Sequence, residues 1–193
     1  RERRANGIPV EHADPGAHWA TRVLRTPWTW VTLGATLVFA GCLGWLYWTT
    51  TQDVPVTDGY IPGLNWSAIR RSAGLAAPTL AFWVVLFVWL DRYRPARPIL
   101  WYLALGWGAA VSTAVSMVIN TWASQHLAIA GVGDPTQGAR AAVFVAPFVE
   151  EAAKATILFW IALALRYRIV SKLSAVVLAG LSAAGFAFTE NIL

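Results

Sequence analysis

Five long apolar runs separated by short polar stretches organise the chain, at residues 28–50, 72–90, 99–123, 141–165 and 173–193. Each is close to the ~20 residues that a helix needs to cross a bilayer. An isolated strand cannot satisfy its backbone polar groups in lipid, so every run is expected to be helical. The pattern predicts an all-α fold, a polytopic membrane helical bundle of about five transmembrane helices. Residues 1–25 break the pattern: Gly7, Pro9, Pro15 and Gly16 argue against a long helix there. That stretch is expected to be a flexible basic cytoplasmic arm ahead of a transmembrane domain at 26–193. The first apolar run outlasts a signal-peptide core, so it is expected to be a retained helix.

Composition narrows the class: 57% of the residues are hydrophobic, 13% are charged, and the mean hydropathy is +0.51. These values describe an integral membrane protein, so the lipid bilayer is an expected partner. A formal charge of +5 raises the question of nucleic acid, but the basic residues gather at span ends, which topology explains and nucleic acid does not. Arg1, Arg3, Arg4, Arg22, Arg25, Arg92, Arg94, Arg97, Arg166, Arg168 and Lys172 fall on one side of the alternating spans. The other side holds Arg70, Arg71 and Arg140, offset by Asp53, Asp58 and Asp134. Basic residues stay cytoplasmic, so a multi-pass cell-membrane protein with a cytoplasmic N-terminus is expected. Trp28, Trp30, Trp48, Trp89 and Trp101 lie near span ends, where amphipathic rings favour the interface. Trp45, Trp83, Trp107 and Trp160 lie deeper and are expected to serve packing. Cys42 is the only cysteine, so no intrachain disulfide is expected. The loop at 51–71, with Pro55, Gly59, Pro62 and Gly63, reads as a connection long enough to fold over the outer mouth of the bundle.

Charges inside the apolar runs carry the chemistry. Glu150, Glu151 and Lys154 lie in the fourth run and Glu190 in the fifth, followed by Asn191. An ionised group in a membrane segment is costly and marks a functional site by default. Lys154 is four residues from Glu150 and three from Glu151, so it reaches either carboxylate on one helix surface. One lysine cannot neutralise three carboxylates, and the cluster calls for protons, a divalent cation or further partners. Pro147 removes a helical donor just before Glu150 and is expected to kink the helix. Ala179, Gly180, Ser182, Ala183, Ala184, Gly185 and Ala187 give the fifth run a small-residue surface suited to close helix packing. At ~1.5 Å per residue, Glu150 lies ~13 Å below the outer end of its run and Glu190 ~26 Å above the inner end of its own. Three readings stay open for such a cluster: a catalytic site, a proton or cation transport relay, and a structural ion pair in a scaffold. Transport calls for ionisable residues continuing toward the cytoplasmic side, and these four groups gather in the outer half.

Phe148-Val149-Glu150-Glu151-Ala152-Ala153-Lys154, followed one helix later by Gly185-Phe186-Ala187-Phe188-Thr189-Glu190-Asn191, resembles the first two motifs of the PrsW family of intramembrane metalloproteases. That family is similar to the CAAX prenyl endopeptidase superfamily. The Glu190-Asn191 pair, where the CAAX branch usually has histidine, favours the PrsW branch. The resemblance implies metal-dependent hydrolysis of a membrane-embedded or single-span protein substrate, such as an anti-sigma factor, near the outer side of the membrane. It implies a divalent metal, with zinc the expected ion. Glu150 would be the general base, and Glu151 and Glu190 would orient water or metal, Glu190 being the one metal ligand assigned. Lys154 would hold the carboxylates, Asn191 would hydrogen-bond substrate or a ligand, and Phe186 would support the site. The family's later histidine motifs do not occur before Leu193, so the remaining ligands are expected beyond it, and the stretch ending there is expected to be an N-terminal portion inactive alone. His12, His18 and His126 have neither the spacing nor the placement to replace them.

A cysteine introduced at Asp58, in a background lacking Cys42, should react with a membrane-impermeant thiol reagent in intact cells. Reaction only after lysis would invert the topology.

Overall fold

A computed structural model of the chain describes residues 24–56, 59–93, 96–126, 143–165 and 172–193. The arm expected at 1–25 lies almost wholly outside these residues, as do His12 and His18. The chain divides into two compact units, residues 1–34 and 35–193. In the first, the Trp30 indole donates to the Leu24 carbonyl at 2.9 Å. The remainder of this section concerns the second unit, into which α1 (Pro27–Thr51) continues.

At the end of α1 the Thr50 and Thr51 hydroxyls each bond back to a carbonyl of their own helix at 2.8 Å, which satisfies them without an outside partner. A short antiparallel hairpin follows, β1 (Val54–Val56) against β2 (Gly59–Ile61), in place of an unstructured loop. The chain is then drawn back to α1 by Gly63 N–H donating to the Asp53 carboxylate at 3.0 Å and Leu64 N–H to the Thr50 carbonyl at 2.9 Å. Asn65 caps the next helix by accepting from Ala68 N–H at 2.8 Å. That cap starts α2 (Trp66–Leu90) earlier than the apolar run at 72. Arg70 and Arg71 therefore lie within the helix, not in the loop where the hydropathy pattern put them.

Pro98 sits at the start of α3 (Pro98–His126), where its missing N–H costs nothing. Within α3, Trp107–Ser112 is π-helical. The fourth helix, α4 (Ala146–Leu165), is shorter than the run at 141–165, whose first two residues fall outside the described set. Its interruption is at Val145, and Pro147 lies in the first turn of the new helix. Val143 and Phe144 are helical and the helix resumes at Ala146, so the helix is interrupted just ahead of Pro147, whose missing N–H removes a donor. The last helix is α5 (Lys172–Glu190). By length and apolarity, α1, α2, α3 and α5 can each cross a membrane. The 20 residues of α4 also suffice in length, with Glu150, Glu151 and Lys154 as its charges.

Helices α3, α4 and α5 share one core of Leu100, Ala104, Ile157, Ile161, Val177, Leu178 and Leu181. Three of the four tryptophans read as packing residues, Trp45, Trp83 and Trp160, are instead exposed on the surface of the helices. On a membrane protein that surface meets lipid, where a large apolar ring needs no protein neighbour. The closest approach in the core is backbone to backbone. A Cβ added at Gly108, in the π-helical turn, would collide with the Ser182 carbonyl, and one at Gly185 would collide with the Leu105 carbonyl. Small residues allow this contact, as in close-packed membrane helices generally.

At the far end of α2, Asp91 is 1% exposed and fully engaged. It accepts from Ala96 N–H at 2.6 Å, the Trp101 indole at 3.1 Å and the Ser174 hydroxyl at 2.9 Å. The carboxylate thus ties together the ends of α2, α3 and α5.

Gly108→Ala should destabilise the protein by about 1–3 kcal/mol through overpacking, read as a lower denaturation midpoint in detergent. Asp91→Ala strands the buried Ala96 N–H at about 1–3 kcal/mol, loses the bonds to Trp101 and Ser174 as well, and should lower the midpoint at least as far. A midpoint unchanged in either variant would contradict the corresponding contact.

Candidate active site

The fourth and fifth helices are joined where the charged residues lie. The Trp107 indole, presented by the π-helical turn of α3, donates to the Ala153 carbonyl at 3.0 Å. The Ser182 hydroxyl of α5 donates to the neighbouring Lys154 carbonyl at 3.0 Å. Two adjacent carbonyls of α4 are therefore held from two sides, one turn beyond Glu150. Neither Trp107 nor Ser182 was assigned a site role by sequence, because a tryptophan and a serine in apolar runs look like packing.

Lys154 is the centre of the cluster. Its ammonium lies 2.8 Å from the Glu151 carboxylate and 3.8 Å from that of Glu150, and 4.3 Å above the Phe186 ring of α5. A cation over an aromatic face gains about 0.5–2 kcal/mol, more as water is removed, and Phe186 is 3% exposed. Phe186 thus supports the charged group directly. Glu150 is shielded, with its side chain 22% exposed, whereas that of Glu151 is 77% exposed. The shorter ion pair is therefore also the wetter one.

Glu190 is the last residue of α5 and is exposed. Glu150 is the fifth residue of α4, which places it ~6 Å along the helix instead of ~13 Å. Both carboxylates thus sit near helix ends, where an ionised group is less costly than at mid-membrane. Asn191 follows in a further helical turn, and its side-chain amide donates to the Ala187 carbonyl of its own helix at 2.7 Å. Asn191 also borders a cavity of about 560 Å³ between α2 and α5, otherwise walled mainly by Leu75, Leu80, Trp83, Phe87 and alanines. His126 ends α3, exposed, with its ring stacked on Trp122 and Nδ1 2.9 Å from the Trp122 carbonyl. The third apolar run ends at 123, short of His126, which is instead the last residue of the helix.

Glu150 and Glu190 offer the hard oxygen donors that suit a divalent cation. Among the described residues, no three His, Cys, Asp or Glu side chains form a group able to hold a metal. A catalytic zinc takes three protein ligands, more than these two carboxylates supply.

No curated protein and no solved structure matches the chain. The family model for PrsW family intramembrane metalloproteases matches residues 95–193. That segment takes in α3, α4 and α5, every residue that clamps Lys154 between its two glutamates and Phe186, and both carboxylate helices, and on this match the chain belongs to the PrsW family of intramembrane metalloproteases.

Proposed function

We propose that the complete protein is a metal-dependent intramembrane endopeptidase that cuts a membrane-embedded or single-span protein substrate, an anti-sigma factor being one candidate, near the outer side of the membrane. The observation that carries this reading is the docking of Lys154 on Phe186, which brings the Glu150 helix against the Glu190 helix. The apolar cavity beside Asn191 suits an apolar substrate segment. The orientation, with a cytoplasmic N-terminus, follows from the basic residues at span ends.

Glu150 is assigned as general base. Lys154 engages Glu151 at 2.8 Å and stands off from Glu150 at 3.8 Å, so Glu150 retains an oxygen free to take a proton. It removes that proton from the water that attacks the scissile carbonyl, and returns it to the amine as the C–N bond breaks. Glu151, through Lys154, fixes the charge and position of that base and helps orient the water. Glu190 is assigned as a ligand for the metal, zinc by family resemblance. When bound, such an ion polarises the carbonyl and makes water a better nucleophile. Asn191 keeps its side-chain oxygen for substrate.

In the complete protein, Glu150→Gln should preserve membrane insertion and lower cleavage of a transmembrane reporter by at least ~10²-fold. Glu151→Gln and Glu190→Gln should also be severely impaired, and His126→Ala nearly silent. A chelator should inhibit the wild type, with zinc restoring activity. A wild type that cleaves no reporter but carries a pH-dependent ion flux lost in Glu150→Gln would replace the protease by a transporter.

A further inference from the structure

Hydroxyls within this bundle mostly satisfy themselves on their own helix. Thr113 bonds the Gly108 carbonyl, Thr156 that of Ala152, and Ser124 that of Thr121. Ser112 and Ser116 do not. Ser112 Oγ, Ser116 Oγ and Asn120 Oδ1 are sealed from solvent and have no hydrogen-bond partner among the described residues, with Ser112 0% and Ser116 3% exposed. A buried polar atom left unpaired costs about 1–3 kcal/mol, and three of them stand on one face of α3 at four-residue intervals. Such groups bind ordered water when protein supplies no partner.

The spacing selects the ligand. Successive rungs rise ~6 Å along a helix, the span of one water making two bonds of ~2.8 Å. A serine hydroxyl donates and accepts, and an amide oxygen accepts, so a water can join each pair of rungs. The burial of Ser112 and Ser116 leaves no place for a peptide.

The height of the ladder is fixed by antiparallel packing. Leu100 and Ala104 of α3 share the core with Ile161 and Ile157 of α4, and Trp107 bonds the Ala153 carbonyl. As α3 advances, α4 recedes, so one turn beyond Trp107 corresponds to one turn before Ala153. Ser112 is therefore level with Glu150. Ser116 and Asn120 continue toward the His126 end of α3, beyond the first turn of α4.

We propose that Ser112, Ser116 and Asn120 form a hydrated ladder that delivers water from the His126 end of α3 to the level of Glu150. This rests on the protease reading for its purpose, since hydrolysis consumes one water per bond cut. The ladder itself stands on the unpaired atoms alone.

The test uses the complete protein in native membranes, with Cys42 replaced by alanine. Ser112→Cys, Ser116→Cys and Asn120→Cys are each reacted with aminoethyl methanethiosulfonate, beside Ala114→Cys, a buried position off the ladder. The ladder positions should label at least about tenfold faster, because the reagent attacks thiolate and thiolate forms only where water reaches. Labelling no faster than at position 114 overturns the ladder, even where Glu150→Gln abolishes cleavage. The paired variant Ser116→Val with Asn120→Leu should lower kcat about tenfold with KM unchanged, without a lower denaturation midpoint, and Ser116→Thr with Asn120→Gln should restore it. An unchanged kcat in the apolar variant overturns delivery to the reaction. Labelling that persists where the wild-type protein cleaves no transmembrane reporter keeps the ladder and removes the protease reading.

Discussion

The approach of two backbones, the π-helical turn of α3 and the middle of α5, is the constraint from which the rest of the site follows. Gly108 and Gly185 leave no side chain between the helices, so each meets a carbonyl of the other directly. A π turn widens the helix by one residue and re-aims what it carries. Here it aims Trp107 at α4, while the depth of α5 brings Ser182 to the next carbonyl along. Two glycines thus set the spacing, and two hydrogen bonds then fix the height of the fourth helix. Lys154 arrives over Phe186 only because both have been settled first.

The charges are arranged by depth. Glu150 and Glu190 lie near helix ends, where ionisation is cheaper than at mid-bilayer. Lys154 lies deeper and less exposed, and it has three neighbours to compensate it: two carboxylates and an aromatic face. Had the lysine only the wet Glu151 for company, the pair would contribute little. Phe186 and the shielded Glu150 make the position tolerable.

The helical bundle and the region of its charged residues were legible because both depend on composition summed over long windows. Twenty apolar residues announce a helix whatever its neighbours are, and Glu150 or Glu190 stands out in such a run. Start points were less legible where a single residue decides them. Asn65 begins α2 ahead of its apolar stretch, and Val145 with Pro147 begins α4 after its own. The π turn has no local signature, since Trp-Gly-Ala-Ala-Val-Ser reads as ordinary apolar helix and its shape is set by α5. The outward-facing tryptophans were misread for a related reason: in lipid, depth within a span does not imply contact with protein. Ser112, Ser116 and Asn120 did carry a readable signal, a polar residue every fourth position inside an apolar run. Asp91 looked like one more charge at a span boundary, and only a partner 83 residues away reveals otherwise.

The separation of Asp91 from its partners also orders events in time. Ala96 and Trp101 lie five and ten residues beyond it, so a hairpin of α2 and α3 engages one carboxylate oxygen as soon as those two helices stand together in the membrane. The other oxygen has no claimant until α5 emerges and offers Ser174. A helix arriving late therefore meets a prepared acceptor at one end of the hairpin and the bare backbone of Gly108 along its middle, and both specify the same register. Insertion of the early pair becomes the template for docking the last helix, in the manner of two-stage membrane folding.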